Sequence, residues 1–158
     1  MIQLDNRDLE ILKLLQSNCR MTAKEISKKI GSPITTVYSK IKRMEELGII
    51  KQYKAILDPK KLDRGATAII LVSFGYHIEG RRKPLSQREI AEKVARFPEV
   101  QEVHIITGEW DILLKVRADH VDTIGKLVMD KLRTVEGIER TVSCIVYETV
   151  KETTDIIH

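Results

Sequence analysis

Cysteine is scarce in this 158-residue chain: Cys19 and Cys144 are the only two, far apart and in no CxxC pair. That argues against a disulfide scaffold and a thiolate metal site, and it fits a reducing intracellular compartment. The four histidines, His77, His104, His120 and His158, have no metal-ligand spacing. No glycine-rich phosphate loop and no nucleophile–base pair is present, so the sequence speaks against an enzyme. No apolar run reaches the length that spans a bilayer. The opening MIQLDNRDLE lacks a basic-then-apolar signal pattern. The expectation is a cytoplasmic protein with no membrane partner, no metal and no resident cofactor.

Charge is present in both signs but unevenly placed. The chain carries 27 basic and 23 acidic side chains, a net of +4. Residues 1–64 hold 14 basic and 8 acidic groups, and residues 65–158 hold 13 and 15. The first part is therefore +6 and the second −2. A basic excess confined to one part is the footprint expected of a nucleic-acid contact.

That part reads as a helix-turn-helix with a wing. Asp5 can cap a first helix whose apolar positions are Leu9, Ile11, Leu12 and Leu15, and Asp8 suits the dipole of its first turn. Thr22 followed by Glu25 is a capping-box signature, with Ala23, Ile26 and Ile30 inward and Gly31 as the stop. Ser32 is the expected cap of the third helix and Pro33 its first residue. Val37, Ile41, Met44 and Leu47 form its apolar stripe, and Gly48 ends it. The alternation over Ile49–Leu57 predicts wing and hinge strands, although neither face is cleanly apolar.

Off the stripe lie Thr35, Thr36, Ser39 and Lys40, short or flexible polar groups suited to reading base edges in a major groove. Tyr38 suits a sugar or thymine-methyl contact, or packing. Lys42 and Arg43 are placed as phosphate anchors, which position without specifying. Arg20, Lys24, Lys28, Lys51 and Lys54 would broaden the footprint. One such module grips DNA weakly, whereas two copies read a palindrome with half-sites about 34–36 Å apart or a multiple of that.

Asp58-Pro59 to Gly65 is the boundary. Beyond it, Thr67–Phe74 is a β-prone run and Gly75–Leu85 a polar loop. Ser86 caps a helix to about Phe97, and Val100–Thr107 and Ile112–Arg117 are strands about a turn at Gly108–Asp111. His120–Arg133 is a second helix and Glu139–Val150 the last strand. The order is βαββαβ, ferredoxin-like, and the class α+β. The expected division is residues 1–57, a winged helix-turn-helix; 58–66, a hinge; 67–150, the ferredoxin-like domain; and 151–158, a tail. A sheet with both helices on one face needs cover on the other, and subunit pairing supplies it.

Three segments carry a resemblance: LDNRDLEILKLLQSNCRMTAKEISKKIG, VYSKIKRMEELGIIKQYKAILDPKKLDRG and HIITGEWDILLKVRA. Together they resemble the Lrp/AsnC family of feast/famine transcription regulators over nearly the whole chain. Leu4-Asp5, Arg20, Gly31, Val37, Ile41, Glu45, Gly48 and Ile50 match its DNA-binding half, and Asp58-Pro59 and Gly65 its hinge. The resemblance implies double-stranded DNA as partner, a RAM-type domain that builds dimers, tetramers or octamers, and an amino-acid effector between dimers. It also implies effector contacts at Thr107, Gly108, Trp110, Asp111 and Ser143.

The chain departs from the family pattern in places. Ser32 and Pro33 stand where an apolar residue and a serine are usual. Lys40 replaces an arginine and loses its bidentate fork. Trp110 replaces a tyrosine and Ser143 a threonine. The loop Tyr76–Lys83 is longer than common, and its Arg81–Lys83 run is suited to DNA, a neighbour or solvent. For Asp111 two roles stay open: partner of an α-ammonium, or acceptor for the loop's own amides. Two other functions compete with the operator-binding regulator: a sensor or scaffold without specific DNA binding, and a non-specific architectural DNA binder.

Overall fold

The computed structural model describes residues 3–75 and 85–157. The long loop at Tyr76–Lys83, with its Arg81–Lys83 run, lies outside the described residues. The chain divides into two compact units, Met1–Ile56 with Lys151–His158, and Leu57–Val150. The last segment, expected as a separate tail, thus packs with the first unit.

The first unit is three helices around a small core. α1 (Asn6–Ser17) begins with a reciprocal cap: Asp5 accepts from the Asp8 amide, and Asp8 accepts from the Asp5 amide. α2 (Ala23–Ile30) has the expected Thr22–Glu25 box, and the Glu25 carboxyl is held below its usual range chiefly by the Thr22 amide. Gly31 ends it at φ +63°, a left-handed position where glycine has no Cβ penalty. α3 (Ile34–Glu46) starts one residue later than expected. Pro33 is its cap and makes no side-chain hydrogen bond. Ser32 is buried with its hydroxyl unpartnered, while its carbonyl accepts from the Ser27 hydroxyl.

Ile11, Leu12, Leu15, Ile26, Val37 and Met44 make this core, with Ile41 packed at its edge. Leu9 and Leu47, expected inward, are each about two-fifths exposed. Leu47 is the residue that caps α3, where the helical face has already turned away. No strand forms over Ile49–Leu57. A strand needs a ladder partner, and this run is exposed from Lys51 onward. One side-chain bond ties it back to α3, from the Tyr53 hydroxyl to Glu45 at 2.7 Å.

The second unit is a four-stranded antiparallel sheet in the order β2-β3-β1-β4. Its strands are β1 (Ala66–Phe74), β2 (Val100–Ile105), β3 (Ile112–Ala118) and β4 (Ile138–Ile145). Period-two alternation is visible in burial: Ala68, Ile70, Val72 and Phe74 of β1 and Ile112, Leu114, Val116 and Ala118 of β3 are all buried. They face α4 (Gln87–Val94) and α5 (Val121–Lys126), which add Ile90, Val94 and Ile124 to the core.

Three elements differ most from their expected bounds. α4 ends at Val94, short of Pro98, which disfavours helical backbone before it. The second helix is broken: after α5 come a π turn over Leu127–Lys131 and a 3-10 turn over Leu132–Thr134. This sets Leu127, Val128 and Leu132 inward. β4 stops at Ile145, although β1 continues to Ala66. Ile145 pairs with Ala68, and the last bond goes from the Val146 amide to the Thr67 carbonyl.

Candidate nucleic-acid interface and effector loop

The solvent side of α3 follows from its stripe. With Val37 and Met44 buried, Thr35, Tyr38, Ser39, Lys42 and Arg43 are exposed, and Thr36 is half-buried. Arg20 is exposed in the turn before α2, where its amide is held by the Asn18 side chain at 3.0 Å. Tyr38 is 64% exposed, so solvent contact rather than packing describes it. Ser39 donates to the Thr36 carbonyl at 3.0 Å, a back-bond within the helix that leaves its oxygen able to accept.

Lys40 is the exception. Its ammonium contacts Asp5 at 2.6 Å and Asp8 at 2.9 Å, with the side chain 16% exposed. Asp8 is 1% exposed, so this is a charge pair with one buried partner. The hydrogen bonds from Asp5 and then Asp8 raise the Lys40 ammonium above its ordinary range. The Asp5 carboxyl is lowered, chiefly by Lys40. Lys40 therefore takes part in the packing of α3 on α1, unlike the exposed polar groups beside it. Arg43 is shared, with one nitrogen 4.0 Å from Asp8, another 3.4 Å from the Gln3 carbonyl, and half its side chain in solvent.

In the second unit, the turn after β2 is built on Gly108 at φ +124°. Asp111 closes it: the Ile106 amide donates to the Asp111 carbonyl at 2.9 Å, and the Asp111 amide donates to Val72 at 3.0 Å. Its carboxylate accepts from the Phe74 amide at 3.1 Å and from Gln87 at 3.1 Å. Asp111 thus ties the turn to the end of β1 and the start of α4. Its carboxylate thereby serves a neighbouring strand's amide and a glutamine of α4.

Arg140 lies over the Trp110 ring at 4.8 Å and approaches Glu109 at 3.4 Å. Thr107 and Gly108 are exposed. Ser143 pairs with Ile70 on the helix-side face of the edge strand, two positions along from the Thr141–Val72 pair beside Asp111. Gln87 and Arg140 were not singled out in the sequence. The only local signal was Ser86 as a cap, which fixes where α4 begins but not what its first residue touches 24 positions away.

The opposite sheet face is apolar at its centre. Ile69, Leu71 and Leu113 are half-buried and Val142 is exposed, with Cys144 beside Ile69. Glu102, His104 and Lys115 flank it; His104 and Lys115 contact Glu102 at 3.2 and 3.1 Å and hold its carboxyl below the usual range. Among the described residues, no helix is long and apolar enough to cross a membrane.

Two family models match the chain. Residues 4–51 match a winged helix-turn-helix DNA-binding model and residues 67–156 the Lrp/AsnC ligand binding domain. The chain is 45% identical over 149 residues to an uncharacterised HTH-type transcriptional regulator of Pyrococcus horikoshii, covering 94% of this chain and 96% of that protein. The HTH-type transcriptional regulator FL11 of the same organism is 33% identical over 155 residues, covering 98% and 97%. A Neisseria meningitidis transcriptional regulator, solved as an L-Met complex, superposes with a TM-score of 0.87 at 32% identity, over 98% of this chain and 96% of that one. With both models placed on the two units described above, the chain belongs to the Lrp/AsnC family of helix-turn-helix transcriptional regulators.

Proposed function

We propose that this regulator, a cytoplasmic protein without catalytic activity, binds a palindromic duplex as a dimer. Thr35, Thr36, Tyr38 and Ser39 address base edges, and Lys42, Arg43 and Arg20 address phosphates. The observation that carries this reading is the division of labour on α3. Its inward lysine is spent on Asp5 and Asp8, while a row of short polar groups and Lys42 faces solvent. The apolar sheet face centred on Leu71 and Leu113 supports pairing of two copies, and further association to tetramers or octamers is consistent with the family.

The same reading assigns an amino acid or related small molecule to the region of Thr107, Gly108, Trp110 and Ser143. The ligand-binding family model and the neisserial L-Met complex support that class. Asp111 acts there as the anchor of the turn, because its carboxylate is engaged by Phe74 and Gln87.

An amino-acid panel added to the protein on its operator tests the site. The responsive amino acid shifts DNA affinity in the wild type. Asp111→Asn exchanges one accepting oxygen for an NH2 donor, which weakens the hold on the turn and with it the response. Asp111→Ala loses the response while DNA binding without effector stays within about threefold, the range of ordinary surface changes. An undiminished response in Asp111→Ala contradicts the assignment.

A further inference from the structure

The chain passes from the first unit to the second near residue 57 and comes back near residue 151. The return ends on α1. Gln16, near the end of that helix, accepts from the amides of Ile156 and Ile157 at 2.8 and 3.2 Å and donates to the Ile157 carbonyl at 2.9 Å. One primary amide thus satisfies three backbone groups of a segment 141 positions away, as a neighbouring strand would. Ile157 packs against the core of the helical unit, whereas Ile156 points into solvent. A turn in which the Asp155 amide donates to Thr153 at 3.1 Å precedes the docked pair.

We propose that Gln16 is a specificity-determining residue for operator geometry. By fastening residues 156 and 157 to α1, it gives the helical unit a second tether, and two tethers admit fewer orientations than the single exposed segment around residues 57–65. A unit on one flexible tether reaches many half-site spacings with similar affinity; a unit on two reaches few. The docked tail thereby converts dimerisation into discrimination between half-site spacings. This rests on the palindrome reading above.

The test uses the full-length protein and three duplexes: one half-site, two half-sites at the selected spacing, and two with roughly 5 bp added, about half a helical turn. Gln16→Ala suits the purpose because alanine is the best helix former, so α1 is kept. Ile157→Asp removes the apolar anchor without touching α1. Both variants are expected to bind the single half-site as the wild type does. Both are expected to lose roughly tenfold of the wild-type preference for the selected spacing, the scale of one to two ordinary hydrogen bonds.

Hydrogen exchange read at the amides of residues 156 and 157, without DNA, is expected to show protection in the wild type and not in Gln16→Ala. Unprotected amides in the wild type overturn the docking. A spacing preference equal in wild type and variants, or absent from the wild type, overturns the role in specificity. A wild type with protected amides that binds no palindrome refutes the operator reading, and the spacing role falls with it.

Discussion

Lys40 and Lys42 are two residues apart on one helix and do different work. Lys40 faces the N-terminus of α1 and neutralises Asp8, which is 1% exposed. Lys42 faces solvent. Lys40→Ala therefore leaves a buried carboxylate without its nearest cation and is expected to cost about 1–3 kcal/mol of folding stability in denaturant melts. The slope of log affinity against log salt should be unchanged in Lys40→Ala and should fall by about 0.9 in Lys42→Ala, whose ammonium meets one phosphate in the proposed complex. A reduced slope in Lys40→Ala would return that residue to the DNA.

The pH dependence follows in sign. Asp5 titrates below its ordinary 3.8 in the folded chain, so its contribution is full above 3.8 and is lost as pH falls through the folded value. Lys40 titrates above 10.5, so its contribution is full below 10.5 and is lost as pH rises through the folded value. The ion pair is thus constant between those limits. None of this contact was visible in sequence. Lys40 lies 35 and 32 positions from its partners, and only the crossing of α3 on α1 brings them together.

At the scale of elements, what was legible was local. The Asp5 cap, the Thr22–Glu25 box and the Gly31 stop depend on residues at most a few positions apart, and they stand where the spacing put them. The start of α3 was misplaced by one because Ser32 is an apt cap by type, yet its side chain is buried and Pro33 takes the position. The break in the second helix is hidden for another reason. Its apolar spacing suits any continuous helix, and the π turn that breaks it inserts no residue signal of its own. The β-prone run past Val146 makes no ladder with β1, and its own residue types carry no sign of where that pairing stops.

Gly137, by contrast, is demanding. It sits at φ +93° directly before β4, and a Cβ there would run into the Leu85 side chain. Gly137→Ala is expected to destabilise the second unit by about 2 kcal/mol or more, since backbone strain and overpacking add. Differential scanning calorimetry reads the loss. An unchanged transition would mean that Leu85, now 3% exposed, moves aside freely.

For the whole molecule, the split of charge and the βαββαβ order were enough to separate a basic helical part from a sheet part, and both are present. Composition could not reveal that the chain's end rejoins its beginning. Ile157 lies in a short polar-apolar run whose partner, Gln16, carries no motif. Nor could it reveal that Asp111 is engaged by β1 and α4 rather than left open.

The central claim is that α3 reads a two-fold sequence, and one measurement meets it directly. Duplexes selected from a random pool are compared with a scrambled duplex of the same length at matched salt. The account predicts a palindromic winner bound at least about a thousandfold more tightly than the scrambled duplex, the lower end of specific recognition. Equal affinity for both would make the chain an architectural DNA binder, and no affinity for either would make it a sensor or scaffold; each result would contradict the account.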